Sequence, residues 1–209
     1  MGNSKLTLRF AFGIAAALLV SCSSDKKPAW LRIAEKGPHK WGYYSGYVEA
    51  RWQNDGRSMT LLRELRYTDP QGVVWTAPAG SEVDGASIPR SLWSIMGGPF
   101  EGKYRNASVL HDVAYTQHNR PWGDCDRMFY NAMRCSGVGP VEAGTMYYSL
   151  YKFGRHWKAP RAEPVKVGGE IVARATPVNS EQVGEARDWI KNSDPSLEQI
   201  EQRANTESR

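Results

Sequence analysis

The sequence predicts an α+β protein in which a small antiparallel β-meander precedes a three-helix core that contains an antiparallel helix pair. Between residues 43 and 77, aromatic and β-branched segments alternate with turn sequences, which is typical of short antiparallel strands. From residue 104 onward, apolar residues recur at helical spacing, with breaks at proline and glycine. The 209 residues suit one main domain of this kind with an extension at each end.

The meander is predicted from three apolar segments and the two turns between them. Residues 43–52, 59–67 and 73–77 are rich in the residue types that favour strands. The sequence Asn-Asp-Gly at 54–56 is a hairpin signal. The sequence Asp-Pro-Gln-Gly at 69–72 places proline at the second position of a turn. We therefore expect three consecutive antiparallel strands.

The first helix is predicted from Ala107, Leu110, His111 and Ala114, which follow the i, i+3, i+4, i+7 spacing of a single helix face. Pro121 ends this helix, because proline cannot donate the next backbone hydrogen bond.

Two further helices follow after Pro121. The second begins near Trp122 and ends at Gly137, and the third begins with Pro140 and ends at Gly154. Since only a short connection separates the first two helices, they are expected to pack as antiparallel neighbours.

The chain begins with a segment typical of export signals. Lys5 and Arg9 are followed by an apolar run of 11 residues at 10–20. This run is too short for a membrane-spanning helix, which needs about 20 residues, and it suits a signal peptide. The run leads into Leu-Val-Ser-Cys at 19–22, which resembles a bacterial lipobox.

The lipobox resemblance implies that residues 1–21 are removed and that Cys22 becomes the lipid-bearing, palmitate-type anchor of a lipoprotein. We therefore expect the mature chain to be held on a membrane of the bacterial cell envelope through Cys22. Ser23 and Ser24 follow the cysteine, a sequence that resembles signals for the outer membrane, with the protein facing the periplasm.

Composition divides the mature chain into three parts. Residues 22–40 are expected to form a tether, residues 41–157 a single α+β domain and residues 158–209 a C-terminal extension. Within the extension, residues 165–175 suit a loose hairpin, and residues from 179 onward fit either short surface helices or disorder.

Charge and cysteine spacing argue against two classes of partner. The chain has 27 Lys and Arg against 22 Asp and Glu, and residues 1–21 hold two of the basic and none of the acidic residues, which leaves a mature net charge of +3. This excess is too small to predict nucleic-acid binding. Cys125 and Cys135 lie about 15 Å apart on one predicted helix, too far for a disulfide. They also lack zinc-site spacing, and we expect both to be buried.

The candidate site centres on consecutive residues, His111 and Asp112, with Tyr115 one turn further and Asp126 on the next helix. Across an antiparallel pair, His111 can meet Asp126, which would fix the imidazole tautomer and leave the other ring nitrogen as a general base. Asp112 points about 100° away, towards a neighbouring glycine-containing loop, where carboxylate and carbonyl oxygens suit Ca²⁺. The alternative is structural: a buried histidine bonded to an aspartate, with Asp112 holding loop backbone.

The motifs H-D-x-x-Y at 111–115 and D-R-x-F at 126–129 resemble the active-site helices of phospholipase A2. The resemblance implies that His111 activates water, that Asp126 orients His111 and that Asp112 ligates calcium. Gly97 and Gly98 resemble part of the glycine-containing calcium loop of that superfamily. The implied substrate is a phospholipid.

A longer block is similar to a bacterial and phage domain family of unassigned function. It runs from 78 to 157 and comprises P-A-G-S-x-x-D-G-A-S-I-P-R, L-H-D-x-x-Y, D-R-x-F and F-G-x-x-W. This resemblance implies a recurring module and supplies no activity.

Three functions follow from these observations. The first is a membrane-anchored lipoprotein that hydrolyses lipid esters with the help of calcium. The second is a non-enzymatic envelope or prophage-derived lipoprotein that binds a cell-envelope component. The third is a His-Asp metal phosphohydrolase, which would need a further histidine ligand from His39 or His118.

Overall fold

The computed structural model describes residues 40–85, 87–88, 93, 97–157 and 177–207. Within these ranges the chain forms two three-stranded antiparallel sheets and five α-helices, and the predicted α+β class is confirmed. The predicted signal peptide, the lipidated Cys22, nearly all of the tether and the hairpin at 165–175 lie outside the described residues.

Six short strands replace the three long ones that the sequence suggested. The first sheet has the order β1-β4-β5 and the second has the order β2-β3-β6. The strands are β1 Tyr43–Ser45, β2 Ala50–Trp52, β3 Met59–Leu61, β4 Leu65–Thr68, β5 Val74–Ala77 and β6 Glu82–Val83.

The segments 43–52 and 59–67 are each divided because the chain passes from one sheet to the other within each of them. β1 pairs with β4 while β2 pairs with β3, so both segments must bend in the middle. Gly46, at the first bend, has a φ of 109°, which only glycine adopts readily. Periodicity alone did not predict β6, whose Val83 pairs with Met59.

The three predicted core helices are present with nearly the expected ends. They are α1 Arg105–Gln117, α2 Trp122–Cys135 and α3 Pro140–Phe153. His118 caps the C-terminus of α1: it has a left-handed φ of 51° and donates its backbone N–H to the carbonyl of Ala114. α1 and α2 are antiparallel, since Lys103, just before α1, donates to the carbonyl of Gly137, just after α2.

α1 and α2 lie at the centre of the molecule. α1 contacts β4, β5 and β6 on one side and α2 on the other, and α2 in turn contacts α3. The hydroxyl of Tyr44 on β1 donates to the carbonyl of Ala132 at 3.0 Å, which ties the first sheet to α2. Cys125 and Cys135 carry reduced thiols and are buried, as predicted. Burial raises the pKa of Cys135 to about 12, so this thiol stays protonated at neutral pH.

Two further helices, α4 Ser180–Ser193 and α5 Leu197–Thr206, pack on α3. Val183, Ile190 and Ile200 are buried in this contact. Gly144 lets the helices approach closely, because a Cβ built there would lie 3.2 Å from Cγ2 of Ile190. None of the helices in the described ranges has the length and apolar character needed to cross a membrane.

Gly144→Val should destabilise the protein by about 1–3 kcal/mol, because the added methyl groups overpack the contact with Ile190. Gly184→Ala is the matched control: Gly184 lies on the exposed side of α4 with no atom near its Cβ position. This control should stabilise the protein by about 0.5–1 kcal/mol through helix propensity. Urea unfolding of both variants measures the difference, and equal stability of the two would contradict the packing of α4 on α3.

Candidate functional site

His111 lies on the inner face of α1 and is bonded through both ring nitrogens. Its Nε2 lies 3.0 Å from Oδ1 of Asp126 on α2, which is the predicted contact. Its Nδ1 lies 3.1 Å from the hydroxyl of Ser87. The hydroxyl of Tyr115 donates to the same Oδ1 of Asp126 at 2.5 Å. His111 and Asp126 are both 0% exposed, so this network is sealed from solvent.

The partners of His111 fix its tautomer. A carboxylate only accepts hydrogen bonds, so Nε2 carries the proton and donates it to Asp126. Nδ1 is then the acceptor and receives the hydroxyl proton of Ser87. The nitrogen that the phospholipase-like arrangement would keep for water is therefore engaged by a side chain.

Ser87 is the member of the network that the sequence did not single out. It lies in the Asp-Gly-Ala-Ser segment at 84–87, where glycine and aspartate indicated a loop and nothing pointed to a contact with His111. Only the tertiary packing of this loop on α1 brings the two together. Ser87 is 3% exposed.

Asp112 binds the backbone of the same loop. Its Oδ2 accepts the N–H groups of Asp84 and Gly85, both at 2.8 Å, and its Oδ1 accepts the N–H of Ser87 at 3.0 Å. His111 and Asp112 are consecutive, so they point about 100° apart and reach α2 and the loop respectively. This clamp matches the structural alternative that the sequence left open.

The clamp also requires a glycine in the loop. Gly85 has a φ of 70°, and a Cβ there would lie 2.2 Å from Cγ of Pro99. The amide of Gly85 can reach Asp112 in this conformation only because no side chain blocks the approach of Pro99.

Gly97 and Gly98 have partners different from those of Asp112. The carbonyl of Gly98 accepts the hydroxyl of Tyr104 at 2.8 Å, and its N–H donates to Glu101 at 3.2 Å. The N–H of Gly97 donates to the carbonyl of Trp93.

The arrangement around Asp112 does not suit a calcium ion. Three backbone N–H groups direct their positive ends at its carboxylate, whereas a Ca²⁺ site needs those oxygens for the ion. Over the described ranges, no cluster of three or more His, Cys, Asp or Glu residues suits a metal. Calcium binding by Asp112, Gly97 and Gly98 stays a prediction that this donor set does not favour.

Aromatic rings enclose the histidine. The ring of His111 lies 4.1 Å from that of Tyr115 and 4.7 Å from that of Phe129, measured between centroids. Burial, and then the neighbouring charge of Asp126, raise the pKa of Tyr115 well above its usual value. Its hydroxyl therefore stays protonated and remains a hydrogen-bond donor to Asp126.

His118, the candidate second ligand for a phosphohydrolase, packs at the end of α1. Its ring lies 4.4 Å from that of Trp157, and it is 8% exposed. His39 lies outside the described residues, so the phosphohydrolase alternative stays untested.

Two clefts lie beside α1 and α2 in the described part of the chain. One is lined by residues of the β4–β5 turn, α2 and α5, and the other by residues of β5 and α1. Neither is lined by Ser87, His111, Asp112 or Asp126. The network therefore has no opening for a substrate through either cleft.

Residues 59–150 match the family described as "Protein of unknown function (DUF1353)". The chain is 41% identical over 117 residues to "Uncharacterized protein y4jT" of Sinorhizobium fredii, which covers 56% of this chain and 34% of that protein. It is 36% identical over 103 residues to "Uncharacterized protein y4iH" of the same organism, which covers 49% of this chain and 43% of that protein.

These matches confirm the resemblance to a domain family of unassigned function. The chain spans less than half the length of these curated relatives. No solved structure matches it significantly. The matched block contains Ser87, His111, Asp112 and Asp126, whereas α4 and α5 lie beyond it.

Asp112→Asn should destabilise the protein by about 3 kcal/mol, because an amide NH₂ would face backbone N–H groups that now donate to a carboxylate. Asp84→Asn is the matched control in the same loop. The Asp84 side chain is 39% exposed and pairs with an exposed Arg57, so its loss should cost less than about 1 kcal/mol. Denaturant unfolding distinguishes them, and an equally small loss in both variants would refute the clamp.

Proposed function

We propose that this protein is a lipid-anchored lipoprotein of the bacterial cell envelope that binds an envelope component and does not hydrolyse it. In this proposal the network of Ser87, His111, Asp112 and Asp126 stabilises the fold. The lipobox-like sequence ending at Cys22 supports the anchor. The sealed state of the network supports a binding role over a hydrolytic one.

The observation that carries the proposal is that both ring nitrogens of His111 are hydrogen-bonded to protein side chains. A general base must reach the proton that it removes, directly or through one water. Here the ring is fully buried, and each of its nitrogens is bonded to a protein side chain. Polar groups this deeply buried need such partners, because leaving one unpaired costs free energy.

One observation favours hydrolysis as the second candidate. Ser87, His111 and Asp126 are bonded in the order nucleophile, base, orienting carboxylate, which is the connectivity of a Ser-His-Asp triad. In an acyl-transfer site, however, nearby backbone N–H groups stabilise the oxyanion. The N–H groups of Asp84, Gly85 and Ser87, in the loop that carries Ser87, already donate to Asp112.

The proposed anchor fits the length of chain before the fold. The 18 residues that follow Cys22, up to Lys40, can extend over roughly 60 Å, so the domain can reach past the lipid headgroups. Each buried CH₂ of an attached acyl chain adds about 0.8 kcal/mol of membrane affinity, and more than one chain is needed for stable anchoring.

The test of hydrolysis uses the full-length lipoprotein with mixed phospholipid vesicles, with calcium and with chelator. We expect no ester release, and no labelling of Ser87 by a fluorophosphonate probe. His111→Ala should instead destabilise the fold by about 3–5 kcal/mol, since it leaves the Asp126 carboxylate buried without its main partner. Turnover that is lost in both Ser87→Ala and His111→Ala, with each variant still folded, would refute the proposal.

The test of anchoring is independent of turnover. A radiolabelled palmitate precursor should be incorporated into the wild-type protein and not into Cys22→Ser, and only the wild type should sediment with membranes. Membrane association of Cys22→Ser equal to that of the wild type would overturn the anchor and leave the hydrolysis result intact.

A further inference from the structure

A cleft with a volume of about 510 Å³ runs along α2, on a side away from His111. One wall comes from the β4–β5 turn and the start of β5, and the other from the first residues of α5. A volume of this size suits a small molecule or a short peptide.

The floor of the cleft is one face of α2. Asp124, Arg127, Met128 and Asn131 all line it and follow the i, i+3, i+4, i+7 spacing that places side chains on the same side of a helix. Asp126, which binds His111, points to a different side. α2 therefore separates the sealed network from the open cleft.

Asn131 is the unusual member of this floor. Its side chain is only 9% exposed, yet it makes no hydrogen bond with any part of the chain that the structure describes. Neither polar atom of this amide is among the fully buried atoms without a partner, so the amide faces the cleft and its solvent rather than the protein interior. Because the amide of Asn131 lines the cleft without a partner in the described chain, it can form hydrogen bonds with a ligand.

Two side chains of opposite charge line the same cleft as Asn131. The guanidinium of Arg120 stacks on the indole of Trp75 at 4.4 Å and donates one hydrogen bond, to the carbonyl of Val74, which leaves most of its five N–H groups. Asp124 is exposed and, within the described residues, its carboxylate forms no hydrogen bond or ion pair.

The remaining charged groups of the cleft already have partners within the protein. Both carboxylate oxygens of Asp69 accept hydrogen bonds from its own turn and from Trp75. Arg127 pairs with Glu198 and Glu201 of α5. The groups open to a ligand are thus a cation at Arg120, an anion at Asp124 and a neutral amide at Asn131.

We propose that this cleft binds a zwitterionic amino-acid compound, namely a short peptide with a free carboxylate and a free ammonium group. Arg120 would receive the carboxylate, Asp124 the ammonium and Asn131 a backbone amide. Asp124 and Asn131 lie about 10 Å apart along α2, which is the length of about three residues of extended chain. The inference rests on the proposed binding role and names the site and the ligand class for it.

The experiment is a calorimetric titration of the full-length protein in detergent with alanine, dialanine and trialanine. The capped peptide N-acetyl-dialanine amide, which lacks both charges, is the control ligand. We expect at least one of the uncapped compounds to bind, and the capped peptide to bind at least tenfold more weakly. Absence of binding by all three compounds, or equal binding of the capped peptide, would overturn the inference. The vesicle assay described above tests hydrolysis and would be read separately.

Two variants assign the binding to the cleft. Asn131→Leu should weaken binding of the peptide at least tenfold while the unfolding temperature stays close to that of the wild type, because the replaced amide forms no hydrogen bond within the described chain and leucine has a similar shape. Asp124→Asn should also weaken binding, whereas Asp188→Asn on the exposed side of α4 should not. Unchanged affinity in Asn131→Leu, or a clear fall in its stability, would show that Asn131 has a structural role and would refute the site.

Discussion

The burial of two carboxylates against a single helix pair is the constraint on which the rest of this structure depends. Asp112 and Asp126 are 6% and 0% exposed, and each must be supplied with hydrogen-bond donors. The loop at 84–87 supplies three backbone N–H groups to Asp112. His111 and Tyr115 both donate to one oxygen of Asp126, Oδ1. One turn of α1 thus joins the second sheet to α2.

This constraint explains why residues typical of hydrolases are buried, and hydrogen-bonded to one another, in the part of the chain that the structure describes. His111 and Ser87 lie within hydrogen-bonding distance of each other, as a catalytic pair would. The same hydrogen bonds that position the two side chains also engage their polar atoms. The outer face of α2 has the opposite character, since Asn131 lacks a partner in the described chain and borders an open cleft. Binding at that face would leave the buried network undisturbed, so stability and ligand recognition can be separate properties of one helix.

The sequence predicted the helical part well and the contacts of the loops poorly. Helical spacing and Pro121 were sufficient to place α1 and α2 side by side, and from that the contact between His111 and Asp126 followed. The division of the strands, the role of Ser87 and the cleft at Asn131 depend on residues far apart in the chain. No local pattern encodes them, because a loop that packs on a helix leaves only a weak signal of turn residues.

Hydrogen exchange of the loop amides tests the central claim most directly. If Asp112 clamps the loop, the N–H groups of Asp84, Gly85 and Ser87 should exchange only through global unfolding, as slowly as the amides in the middle of α1. The account predicts this protection in the absence of any metal or substrate. Exchange of these three amides as fast as that of the exposed turn at 54–56 would contradict it, because an unclamped loop would leave Asp112 and His111 open to solvent.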